Sequence, residues 1–303
     1  MKKRIVPNTL KGYILICISA CAFGTMAVAN RVACDHGADL GTLMSARFLI
    51  VTLFYVVYMR VRGLSWRVPV KQGVALVLLG LIFYSNVVLF FYKAVQYISP
   101  AVAGLILYTY PAMVGVLGHF FLGERLSLRK IVALLIVTGG CALVVGGPVG
   151  GISITGVAYA VCTALFYSIY IVGNKKVLTD VHPVVAAAYM GVCCAVYFLG
   201  FQLTQGSYTF AFNGTVFAVM LVLAFWCTII GILCFFRGLI ILGATRSSII
   251  STVEPLFTAL LAWILLGDTI RPVQWAGGAC ILVGVIFLRL GKSPAQEKGL
   301  SVD

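Results

Sequence analysis

The second half of this 303-residue chain repeats the first at a fixed offset of 144 residues, with no gap. Gly12 aligns with Gly156, Asn30 with Asn174, Phe54 with Phe198 and Phe91 with Phe235. Pro111 aligns with Pro255, Gly123 with Gly267 and Gly140 with Gly284. A repeat of this length makes each half one structural unit and requires the two units to pack on each other.

Each unit is strongly apolar. The chain is 62% hydrophobic and 10% charged, with a mean hydropathy of +1.09. A water-soluble domain has nowhere to bury that much apolar surface. Apolar stretches of about 18–22 residues recur along the whole length, the span of a bilayer core. They predict ten helices near residues 13–33, 41–59, 73–94, 101–121, 131–147, 156–173, 184–203, 215–236, 247–265 and 273–290. The fold class is therefore all-α integral membrane, with ten transmembrane helices. The stretch Gly146-Gly147-Pro148-Val149-Gly150-Gly151 reads as the hinge between halves, because Gly and Pro interrupt helices.

Charge gives the orientation. With the N-terminus in the cytoplasm, 18 of the 22 Lys and Arg residues fall on the inner side, leaving Arg31, Arg47, Lys93 and Arg271. Both termini are thus expected to be cytoplasmic. Segment 60–72 carries four basic residues, and its repeat partner 204–216 carries none. Five helices per unit is an odd number, so the second unit enters from the other side. We expect two inverted five-helix repeats, an architecture of secondary transporters with the substrate site between the repeats.

The same pattern excludes other classes. The net charge of +14 sits in short flanks and loops, whereas a nucleic-acid binder gathers it on one exposed face. Nine of ten cysteines fall within predicted spans and Cys34 at an outer helix end, with no C-x-x-C and no Cys/His cluster. They read as small buried hydrophobes rather than metal ligands. Lys2, Lys3, Arg4 and Lys11 before an apolar run, with Ala27-Val28-Ala29 after it, mimic a secretory signal. Cleavage there would remove a helix whose repeat partner is a full span, so none is expected. Walker A, Rossmann, His-Glu-x-x-His and Gly-x-Ser-x-Gly patterns are absent. Neither an enzyme nor a cofactor is expected, and energy must come from gradients or from the substrate itself.

The arrangement resembles the drug/metabolite transporter superfamily, in its EamA-type branch with two five-helix repeats. Arg47-Phe48 in the second helix, Tyr110-Pro111 with Gly123-Glu124, and Glu254-Pro255 with Gly267-Asp268 carry the resemblance, over about residues 11–290. The branch usually has Gly-Glu in both halves; Gly-Asp in the second keeps the charge. Phe23-Gly24 stands near where members often show an aromatic pair beside Trp-Gly. The resemblance implies one EamA-like repeat at 11–146, another at 153–291 and a cytoplasmic tail at 292–303. It implies a carrier of small organic metabolites, often amino acids or related compounds and often exported. It also implies a cavity lined mainly by the third, fourth, eighth and ninth helices. The setting would be a bacterial inner membrane, with the chain a monomer or weak homodimer.

Ionisable groups inside a membrane are costly and usually face a partner or water. Glu254 lies about 10 Å into the ninth helix, before a proline that frees backbone groups. It is a candidate for binding a proton or a substrate ammonium, or a structural carboxylate held by those freed groups. Arg47 lies about 10 Å below the outer surface. It could hold a substrate carboxylate, or snorkel to the interface. The two enter from opposite faces, which separates them by about 10 Å of depth in a core of about 30 Å. Tyr84, Asn86, Tyr92, Tyr108 and Tyr110 in the third and fourth helices offer stacking faces and hydrogen bonds, as do Trp226 and Thr228 in the eighth. Aromatic packing or a membrane-interface belt accounts for about half of such residues; Tyr84 and Asn86 lie nearer mid-span than a belt allows and are the preferred two. Tyr167 and Tyr170 in the sixth helix and His119 in the fourth are further candidates. The expected function is alternating-access transport, with organic-cation or drug efflux as the alternative and protons as the candidate coupling ion.

Overall fold

The computed structural model describes residues 9–146, 153–205 and 213–290. Most of the expected hinge and all of the C-terminal tail lie outside them. Ten helices are long and apolar enough to cross a membrane. We label them α1 (Thr9–Asp35), α2 (Leu40–Val61), α3 (Val70–Tyr97), α4 (Pro100–Leu122) and α5 (Leu128–Val145). The second half supplies α6 (Ile154–Val177), α7 (Pro183–Gln205), α8 (Gly214–Leu242), α9 (Ala244–Leu266) and α10 (Pro272–Arg289). The chain is a multi-pass, all-helical membrane protein.

Local chemistry sets the ends. Asp39, Ser127, Ser153 and Asn213 each accept a backbone N–H of the first turn that follows, satisfying donors that have no intrahelical partner. Gly123 and Gly267 end α4 and α9 in the left-handed conformation, at φ 65° and 71°.

Four helices are irregular, and their irregularities fall at the repeat offset. In α3 the segment Leu78–Tyr84 is π-helical, and in α8 the segment Val222–Ile230 is. Ser85 and Thr228 donate their hydroxyls to carbonyls five residues back, on Gly80 and Leu223. Helix α4 breaks at Tyr108-Thr109, ahead of Pro111; α9 breaks at Thr252-Val253, ahead of Pro255. Proline has no N–H to continue the ladder and crowds the turn before it. The hydroxyls of Thr109 and Thr252 bond carbonyls left at these breaks, Ile106 and Ile249.

Exchanging the two halves reproduces the main helix pairings. Helix α1 packs on α8 and α9, as α6 packs on α3 and α4; α2 meets α7, and α5 meets α10. The α5–α10 seam repeats this at the atomic level. Gly140 sits against the backbone of Gly277 so closely that a Cβ would lie 2.8 Å from its carbonyl oxygen. Its repeat partner Gly284 also lies close on α5, where a Cβ would lie 2.7 Å from Val137 Cγ1 and 3.3 Å from the Ala133 carbonyl oxygen. Without a hydrophobic drive between helices in lipid, such small-residue contacts supply packing energy.

Candidate substrate and coupling site

The breaks and the π segments converge on the interior. Arg47 on α2 is only 2% exposed, so it does not snorkel. Its Nε donates to Thr228 Oγ1 at 2.6 Å, and one terminal nitrogen lies 3.2 Å from the Met26 sulfur. The guanidinium also lies over the Phe48 ring, 4.9 Å from its centroid. The Tyr84 hydroxyl stands beside it. Among the described residues no carboxylate reaches it. A buried cation normally keeps an anion, and thioether sulfurs are weak acceptors.

Glu254 begins the second segment of α9. It retains accessible surface despite its place inside the bundle. The Tyr108 hydroxyl lies beside its carboxylate, and Tyr110, Tyr167 and Cys141 lie within its electrostatic reach. On α1, Gly24 lets the chain close on this break: a Cβ there would lie 2.8 Å from the Glu254 carbonyl oxygen. In the twin position, Ser168 donates to the Tyr110 carbonyl at 3.2 Å.

Tyrosines join the two charges. Tyr84 packs on Tyr170 (4.9 Å between centroids), Tyr170 on Tyr167 (6.3 Å) and Tyr167 on Tyr110 (4.8 Å). Tyr170 donates to the Met190 sulfur and Tyr110 to the Ser248 carbonyl. Arg47 and Glu254 make no ion pair; an aromatic wall stands between them.

Thus Arg47, Tyr84, Tyr108, Tyr110, Thr228 and Glu254 come together. Asn86 lies apart, donating to the Ile82 carbonyl and accepting from the Tyr197 hydroxyl on α7. Trp226 donates to Thr25 on α1 and packs with Met220 and with Met26, whose sulfur lies against Arg47. Tyr92 is exposed. Tyr167 and Tyr170, the weaker candidates in sequence, complete the wall. The internal repeat does not rank them, since the outlying Asn86 and Trp226 also differ from their twins Ile230 and Ile82. Arg47 aligns with Gly191, Tyr84 with Thr228, Tyr110 with Glu254, Tyr167 with Phe23 and Tyr170 with Met26. The glycines and prolines of the frame match between halves, whereas the two charges, Arg47 and Glu254, face Gly191 and Tyr110 in the alignment. No group of His, Cys, Asp or Glu among the described residues could hold a metal ion.

A sequence model of the EamA-like transporter family matches residues 10–146 and again 154–290. The chain belongs to the EamA-like transporter family. Relatives include the Uncharacterized transporter YetK of Bacillus subtilis (strain 168), 20% identical over 97% of this chain and 93% of that protein. The Uncharacterized inner membrane transporter YicL of Salmonella typhimurium is 22% identical over 93% of this chain and 96% of that one. A solved structure titled Crystal structure of protein superposes with a TM-score of 0.78 at 18% identity, covering 92% of this chain and 96% of that one. That likeness concerns the fold. In this EamA-like transporter the convergent residues lie on α2, α3, α4, α6, α8 and α9, and so come from both halves.

Proposed function

We propose that this transporter moves small organic metabolites, amino acids or related compounds, outward across a bacterial inner membrane by alternating access between two inverted repeats. Both termini are cytoplasmic in this reading. The observation that carries it is a buried guanidinium with no carboxylate and a carboxylate with no cation among the described residues, joined by a tyrosine wall. A zwitterion supplies both missing charges: its carboxylate meets Arg47 in the paired geometry guanidinium favours, and its ammonium meets Glu254. The tyrosine faces take an apolar side chain between them. Export follows the habit of the family. Glu254 returns a proton once the ammonium has left, which couples transport to the proton gradient.

The tyrosines near Glu254 also favour a second reading, an organic-cation carrier that uses cation–π contacts and leaves Arg47 structural. Liposomes loaded with a radiolabelled amino-acid panel separate the two. The first reading expects flux of at least one zwitterion, inhibited by zwitterions and not by a quaternary ammonium, and lost in Glu254→Gln. Inhibition by the quaternary ammonium alone would replace it with the second.

A further inference from the structure

We propose that Glu124 is a latch that holds one end of the transporter closed, and that the repeat lacks a matching latch at the other end. Glu124 follows α4. Its carboxylate reaches the start of α9 and accepts the backbone N–H of Ala244 at 2.6 Å and of Thr245 at 3.0 Å. These are first-turn donors with no intrahelical partner, at the positive end of the helix dipole. Gly243 makes room: a Cβ there would lie 2.6 Å from the carboxylate, and its φ of 87° suits glycine. His119 Nδ1 lies 3.0 Å from the Glu124 carbonyl oxygen and steadies the loop.

The twin of Glu124 is Asp268, and the twin of the Ala244-Thr245 start is Pro100-Ala101. No mirrored latch forms there. Asp268 is one methylene shorter, and Pro100 has no N–H to give. Ser99, in the place of Gly243, caps its own helix by accepting Val102 N–H. Asp268 instead pairs with Arg31 at 3.0 Å, on side chains 44% and 55% exposed, a setting in which an ion pair contributes little. The Gly-Asp pair therefore keeps the charge of Gly-Glu but changes its partner.

Burial follows the same asymmetry. All eight residues of Ala244–Ser251 are buried, whereas only Ala103 and Gly104 are buried in the twin segment Pro100–Leu107. The buried hydroxyls of Thr245 and Ser247 find no hydrogen-bond partner among the described residues. Buried unpaired hydroxyls cost stability, and opening this end would hydrate them. Glu124 thus acts as a positioning residue: it biases the two-state equilibrium toward closure at the α4–α9 end, which the charge count assigns to the cytoplasm. This extends the alternating-access reading and rests on it.

Hydrogen–deuterium exchange on the intact transporter in nanodiscs tests the latch. In Glu124→Ala, exchange should rise about 10-fold across Ala244–Ser251, as expected for losing charge-assisted hydrogen bonds. Exchange across Ala101–Leu107 should fall, because opening one end closes the other. Faster exchange at Ala244–Ser251 with no change at Ala101–Leu107 would reduce Glu124 to a local cap and overturn the proposal, as would no change at either. Should Glu124→Ala not fold, Gly243→Ala displaces the carboxylate while keeping it, with the same two readings. Wild-type flux in liposomes reports separately on the transport reading.

Discussion

Arg47 is the residue on which the candidate site turns. A guanidinium taken out of water and met, among the described residues, by hydroxyls, sulfur atoms and an aromatic ring but no carboxylate lowers stability unless a ligand compensates it. Its replacement should therefore separate binding from folding. Arg47→Gln is expected to weaken binding of a transported zwitterion about 10- to 100-fold, the loss of charge-assisted hydrogen bonds to a carboxylate, while its melting temperature without ligand stays level or rises. Titration of purified protein by calorimetry, beside a thermal melt, checks both. Unchanged affinity would make Arg47 structural. Sequence reasoning found Arg47 and Glu254 because charge is rare in these spans. It could not order the aromatics, since composition does not say which way a helix turns. Asn86 and Trp226 are chemically as apt as Tyr108, yet they face α7 and α1.

Among the elements, ten helices were legible as apolar runs, and the prolines marked where α4 and α9 break. The observed spans run beyond several expected ones, α3 covering Val70–Tyr97 rather than 73–94, because amphipathic ends continue a helix past the apolar core. The π segments were not legible: their residues have ordinary helix-forming composition, and only the interior hydroxyls of Ser85 and Thr228 record the displaced bonds. Such segments often lie at functional sites; here they carry Tyr84 and Thr228 to Arg47. The α5–α10 seam yields a stability prediction. Gly140→Val must push a branched side chain into the Gly277 backbone. Overpacking of this kind costs about 1–3 kcal/mol, so the melting temperature should drop by several degrees. Gly139→Val, facing open space one residue away, should not shift it, and equal shifts would deny the seam its role.

At the scale of the molecule, the repeat does two things at once. Its matched positions build a frame that looks the same when the halves are exchanged. Its mismatched positions put Arg47 opposite Gly191 and Tyr110 opposite Glu254, so a symmetric frame encloses an asymmetric site. The latch follows the same logic, with Glu124 answered by a shorter Asp268. The motif alone does not carry that consequence, because the partner helix start is set by the fold. What converts a two-unit bundle into an alternating-access carrier is inversion of one unit against the other. Lys71 and Thr215 are repeat partners, both exposed. With Cys34→Ser removing the exposed native thiol, Lys71→Cys and Thr215→Cys can be labelled by a membrane-impermeant maleimide in right-side-out and inside-out vesicles. Inverted repeats predict that position 71 reacts only from the cytoplasmic face and position 215 only from the outer face. Reaction of both from one face would contradict the account.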